Sequence, residues 1–364
     1  MIPIGKTTLP KYEDVEERFK EIFETGMVSD SKYVKEFEEK AAELIGVKHA
    51  VAGPSNTSAM IGCMSLVEKG EVIMPSFTIA NTYYALKWNN LDPVLVDCDE
   101  YCNIDVDEVK KAITEKTKAV MAVYMFGSIS KMDELVEICE EKNVDLFIDA
   151  AQGFGGKWKD KYFGNFGKGE IFSFDPSKTM GIGEGAIVTT NDDKFAEDLR
   201  VVFKNGMQIP GDMDSVRIGL NGRLPEMCAV IGIEALKKIN HYIERRNKLA
   251  ELYKKNLDIE GINFLGAPEN CLSTFKDLII TVDEDKYGMG RDGLNEELLK
   301  RDIHTRKYFY PPIHWLSSCK EKFKDLKLPK TEEMSLKVLS LPIYSHMPFE
   351  DVEEVCKNIR EIKK

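Results

Sequence analysis

Apolar residues recur every three to four positions over residues 33–45, 57–68, 79–88, 105–113 and 132–142, and this spacing predicts one-sided helices there. Between them lie short apolar runs at 49–52, 71–74, 93–96, 119–124, 144–148, 171–174 and 186–189, each too short for a helix. Helix and strand alternate in this way from about residue 33 to 235, which is the signature of β-α-β units building one large, mostly parallel sheet. A helix over 12–24 precedes them, and a long helix over 226–254, broken near Ile239 and Asn240, follows. Beyond residue 262 the chain grows richer in charge. Strands at 277–282 and 338–342 and helices at 293–301 and 350–362 predict an α+β arrangement. The expected division is a large α/β domain over 12–238 and a small α+β domain over 239–364, with residues 1–11 packing on the small one.

Composition narrows the class. The 364 residues are 43% hydrophobic and 31% charged, enough to bury a substantial core. A formal charge of -12 repels polyanions, so neither nucleic acid nor a membrane surface is an expected partner, although local cationic pockets still suit small anions. No basic segment followed by an apolar stretch opens the chain, and no run approaches the roughly 18 apolar residues of a membrane span; the expected compartment is the cytoplasm. Eight scattered cysteines read as reduced thiols. Cys98 and Cys102 stand without a second pair or a histidine cluster, and no H-E-x-x-H occurs, so no metal is expected.

The chemistry concentrates around Lys178. It follows the apolar run 171–174 within Phe172-Ser173-Phe174-Asp175-Pro176-Ser177-Lys178 and precedes Gly181-Ile182-Gly183-Glu184-Gly185. A primary amine so placed can form a Schiff base with an aldehyde cofactor. A second signal supports it: the run 144–148 leads into Asp149-Ala150-Ala151-Gln152, which sets a carboxylate at the end of a central strand. Such a carboxylate is costly unless it meets a cation. The protonated ring nitrogen of pyridoxal phosphate is one, and ligands bind at that end of strands in α/β sheets. Val51-Ala52-Gly53-Pro54-Ser55-Asn56-Thr57-Ser58 passes from strand to helix through a turn, where free amides and the helix dipole suit a phosphate, or where Ser55 or Thr57 is simply an N-cap. The glycines at 181, 183 and 185 match neither a dinucleotide nor a P-loop pattern.

In order and spacing these segments, together with residues 34–50, 71–78, 93–97, 126–127, 219–226 and 305–314, resemble the DegT/DnrJ/EryC1/StrS aminotransferase family from Ile2 to the C-terminus. The resemblance implies the aspartate-aminotransferase-like (fold type I) architecture and the cofactor pyridoxal 5'-phosphate. By position, it implies Lys178 as the Schiff-base lysine, Asp149 on the pyridine nitrogen and Gln152 near the ring hydroxyl. Asn56, Thr57 and Ser173 would hold the phosphate, and Asn205 would reach the phosphate of a neighbouring subunit, making a homodimer. Arg223 is the expected contact for an amino-donor carboxylate, or else a surface ion pair. The aromatic and basic run 306–314 adds Tyr310 and His314 as substrate contacts, or forms a structural hairpin. The chain departs from the family pattern at Ile79, where an aromatic residue often stacks on the cofactor, and at Asn56, where a small residue is usual. Tyr124 and Asp175 stand where histidine is frequent.

The expected activity is transamination of a nucleotide-linked keto sugar, a dTDP- or UDP-4-keto-6-deoxyhexose, with L-glutamate as donor. A sugar dehydratase of the same family carries histidine at the lysine position, which Lys178 argues against. Also open are transamination of a non-nucleotide carbonyl compound and a non-catalytic regulator with the same fold.

Overall fold

A computed structural model of the chain describes residues 1–209 and 213–363. Its centre is a seven-stranded sheet in the order His49–Gly53, Ala186–Thr190, Gly169–Ser173, Asp145–Asp149, Thr117–Val123, Glu71–Pro75, Asp92–Val96. Four neighbouring pairs are parallel, and Ala186–Thr190 runs antiparallel to both of its neighbours. Six strands therefore point the same way, and their carboxyl ends line one edge. The strands are buried on both faces, as continuous apolar runs require when helices cover each side.

Each predicted helix of this region forms within a few residues of its expected bounds, as Lys32–Ile45, Asn56–Met64, Ala80–Trp88, Val106–Ala112 and Met132–Glu141. Local chemistry sets several starts. Ser55 caps Asn56–Met64 by accepting from the Ser58 N–H, and Asp105 caps Val106–Ala112 through the Asp107 and Glu108 amides. The long helix is two, Glu226–Leu236 and Ile239–Asn256, divided at Lys237 and Lys238, just ahead of the expected break. Three helices went unforeseen, Glu284–Tyr287 and Pro329–Lys337 beyond residue 262 and, in this region, Asp193–Phe203, which is capped by Asp192 and covers the sheet through Leu199, Val202 and Phe203.

Beyond residue 262 a three-stranded antiparallel sheet, Ile262–Phe264, Leu278–Val282 and Val338–Leu341, packs against Ile239–Asn256, Arg291–Lys300 and Phe349–Ile362. Ile2 joins this cluster and bridges Ile303, its N–H donating to the Asp302 carbonyl at 2.7 Å. A further small sheet, Cys271–Leu272, Lys157–Trp158 and Lys161–Tyr162, links the two regions. No described helix is long and apolar enough to cross a membrane.

Candidate active site

The sheet edge explains why residues distant in sequence meet. Leaving their strands on the same side, Gly53 leads to Asn56 and Thr57, Pro75 to Ile79, Val123 to Tyr124, and Gly169–Ser173 to Lys178, while Asp149 is itself a final strand residue. Asp149 is only 1% exposed. Its Oδ2 accepts from the Thr82 hydroxyl at 2.8 Å, and its Oδ1 accepts from the Ala151 N–H at 3.2 Å. Burial pushes this carboxyl above its ordinary value, with Thr82, the Ala151 amide, Lys178 and Asn56 pulling the other way. Among the described residues no lysine, arginine or histidine forms an ion pair with it. A buried carboxylate bonded only by neutral donors, with a lysine in electrostatic reach, is the setting a cationic ring N–H completes, so the residues present fit pyridoxal phosphate.

Lys178 stands in the turn after Gly169–Ser173, its N–H donating to the Asp175 carbonyl at 3.0 Å. Its Nζ lies 3.3 Å from Asp175 Oδ2. The Asp175 Oδ1 accepts from the Ser177 N–H at 2.7 Å, and Oδ2 lies 3.4 Å from the Ser173 hydroxyl. Burial pushes the Asp175 carboxyl up, but Lys178 and Ser177 outweigh it and hold it below its ordinary value. Where histidine is frequent in the family, this chain thus pairs its lysine with an acid. The glycine turn keeps close to this loop: a side chain at Gly181 would come within 3.3 Å of the Asp175 carbonyl, and Gly183 needs a φ of +102°.

The remaining predicted residues divide into two groups. Asn56 donates to the Ile171 carbonyl at 3.0 Å and is among the groups that pull the Asp149 carboxyl down. Thr57 accepts from Asn81 Nδ2 at 2.8 Å. Ile79 is 47% exposed at this edge, a large apolar side chain left open beside Asn81 and Thr82. Gln152 Oε1 accepts from the Phe126 N–H at 2.6 Å, which leaves its NH2 as the end it offers. Asn205 and Arg223 lie elsewhere: together with Lys204 they line a separate cleft of about 330 Å³. Arg223 is exposed and donates to Asn221 Oδ1 at 3.0 Å, an amide partner in place of the surface ion pair.

Tyr310 is 54% exposed. His314 departs from the expectation of a substrate contact: it is 2% exposed, with Nδ1 2.7 Å from the Ser76 hydroxyl and Nε2 3.5 Å from Glu332 Oε1. Burial lowers its proton affinity, and its ring fastens the 313–315 turn to the end of Glu71–Pro75. Tyr124 is likewise internal, stacked on Phe163 at 4.0 Å, its hydroxyl donating to the buried Glu170. Thr82 is the site residue that sequence reasoning missed. Its signal was present, a hydroxyl one turn after Thr78 on the helix following Ile79, but its partner lies 67 residues away.

The sheet order, with Asp149 ending a central strand and Lys178 in the turn after the neighbouring one, is that of a fold type I pyridoxal-phosphate enzyme, large parallel-sheet region and small α+β region together. The profile of the DegT/DnrJ/EryC1/StrS aminotransferase family matches residues 11–360, and the chain belongs to that family. It is 31% identical to GDP-perosamine synthase of Escherichia coli O157:H7 over 342 residues, covering 93% of this chain and 92% of that protein. The GDP-perosamine synthase of Vibrio cholerae is 28% identical, with 99% and 98% covered. Among solved structures, DesI in the presence of its TDP-sugar product superposes with a TM-score of 0.91 at 31% identity, over 99% of this chain and 92% of that one. The chain is accordingly a pyridoxal-phosphate-dependent sugar aminotransferase in family and fold.

Proposed function

We propose that this protein transfers the amino group of L-glutamate to a nucleotide-linked 4-keto-6-deoxyhexose. dTDP and UDP are the carriers expected from sequence, and the relatives named GDP-perosamine synthase add GDP. The observation that carries the reading is Asp149, buried at a strand end with only neutral hydrogen-bond donors, facing the field of Lys178.

When bound, pyridoxal phosphate supplies the aldehyde that takes up and releases the amino group and the ring that receives electrons from the substrate carbon. Asp149 holds the cation at the ring nitrogen, and Thr82 fixes which carboxylate oxygen faces it. Asn56, Thr57 and Ser173 would hold the phosphate, with the N-terminus of Asn56–Met64 contributing its dipole. Asn205 of a second copy completes that cradle, so the working unit is a homodimer. Gln152, whose NH2 is the end left free, would serve the ring hydroxyl, and Ile79 would offer apolar contact and exclude water without stacking. Lys178 Nζ would move the proton from the substrate carbon, from a turn that Asp175 ties down. Arg223 and Tyr310 serve the substrate side, and the boundary between the two parts of the chain falls at residue 238. Incubation with glutamate and keto sugars on dTDP, UDP and GDP, followed by mass analysis, is the test. An aminated product with one nucleotide supports the proposal, and none with any of them overturns it.

A further inference from the structure

The segment after Asp302 brings a cation to the same edge. Arg306 pairs with the outer strand of the small sheet: its N–H donates to the Ser340 carbonyl at 3.2 Å, and its carbonyl accepts from the Ser340 N–H at 2.8 Å. The backbone is therefore fixed. Arg306 is exposed as a residue, and its guanidinium Nη1 donates to the Tyr308 hydroxyl at 3.1 Å in a part-buried contact. Among the described residues no carboxylate forms an ion pair with it. Most other arginines here have settled partners: Arg200 on Glu38, Arg217 on Asp198, Arg291 on Asp292, Arg301 on Glu361.

Tyr308 ties this guanidinium to the candidate site. Its ring packs 5.8 Å from Phe126, whose N–H is bound by Gln152, and the adjacent Phe309 ring lies 5.7 Å from Phe77, two residues before Ile79. Two carboxylates lie in electrostatic range without pairing, for Arg306 feels Asp277 and then Asp175, and Tyr308 feels Asp277 and, last, Lys178. A planar five-donor cation, aimed by a tyrosine, set on a paired strand and without an ion pair among the described residues, is arranged for an anionic oxygen group arriving from solution. Arg223, the sequence candidate, sits in another cleft of the same chain and is held by Asn221.

We infer that Arg306, oriented by Tyr308, receives an anionic oxygen group of the substrate beside Lys178. That group is either the side carboxylate of the amino donor or a phosphate of the sugar nucleotide. The inference rests on the proposed aminotransferase site and adds its anion contact. Two probes separate the sources, measured by equilibrium binding to the cofactor-loaded dimer: glutarate for the dicarboxylate, GDP, UDP and dTDP for the diphosphate. Arg306→Gln weakens one probe about ten- to a hundredfold, the range of a lost charge-assisted bond, and leaves the other within about twofold. Arg306→Lys keeps the charge and loses the fork, so it recovers part of that affinity. In the matching half-reaction the loss falls on KM more than on kcat. Folding is monitored by the thermal midpoint of each variant. Unchanged binding of both probes in Arg306→Gln overturns the inference even if Lys178→Ala abolishes turnover; retained turnover in Lys178→Ala instead overturns the reading beneath it.

Discussion

Replacing Asp149 by asparagine separates the two states that its burial couples. In the cofactor-free chain the carboxyl is desolvated and its proton affinity is raised above the ordinary value of 3.8. An acid raised in the fold contributes stability that is complete below its unfolded value and is lost as pH rises through the folded one. Burial therefore disfavours ionising Asp149 in the free chain, a cost that the amide of the variant does not carry. With pyridoxal phosphate the order reverses, because the carboxylate then makes a charge-assisted bond that the amide cannot replace, a difference of about 1.5–3 kcal/mol. Unfolding entropy of about 2.1 cal/mol/K per residue over 364 residues converts this into roughly 2–4 °C if the chain melts as one unit. Calorimetric melts of wild type and Asp149→Asn, each with and without cofactor at pH 7, read it directly. The cofactor should raise the wild-type midpoint by that much more than it raises the variant's. Equal shifts would refute the assignment of Asp149 to a cation.

Two further outcomes follow from the loop around Lys178. Asp175 has a folded value held below 3.8, so it contributes stability above its unfolded value that is lost as pH falls through the folded one; urea midpoints between pH 6 and 3 should fall more for wild type than for Asp175→Asn, and parallel curves would contradict the pair with Lys178. Gly183→Ala meets nothing nearer than Cys228 Sγ at 3.8 Å, so its cost is purely that of a φ of +102°, about 1–3 kcal/mol by denaturant titration; an unchanged midpoint would show that the turn relaxes freely.

Much of this site was legible because its ingredients are local. A strand ending in Asp149, a strand-to-helix turn at Gly53, and a lysine between a strand and a glycine turn each announce themselves within about ten residues. Pairing direction was not: Ala186–Thr190 has the same apolar pattern whether it runs parallel or, as here, antiparallel to both neighbours. The two-residue strands at Lys157–Trp158 and Cys271–Leu272 are too short to show alternation, and their partner register comes from across the chain. Asp193–Phe203 did carry a signal, the Asp192 cap before a one-sided apolar pattern. Burial of His314 and Tyr124 follows from what packs over them, Glu332 and Phe163, and no periodicity records that. The same holds for the Thr82 bond to Asp149 and for the Arg306 guanidinium held on Tyr308, both products of tertiary placement.

The covalent claim is tested most directly by treating the pyridoxal-phosphate-loaded protein with borohydride, digesting it and locating the added mass. A phosphopyridoxyl group on the peptide containing Lys178, absent from Lys178→Ala, is the predicted result. The same group on a different lysine, with Lys178 unmodified, would contradict the account at its root.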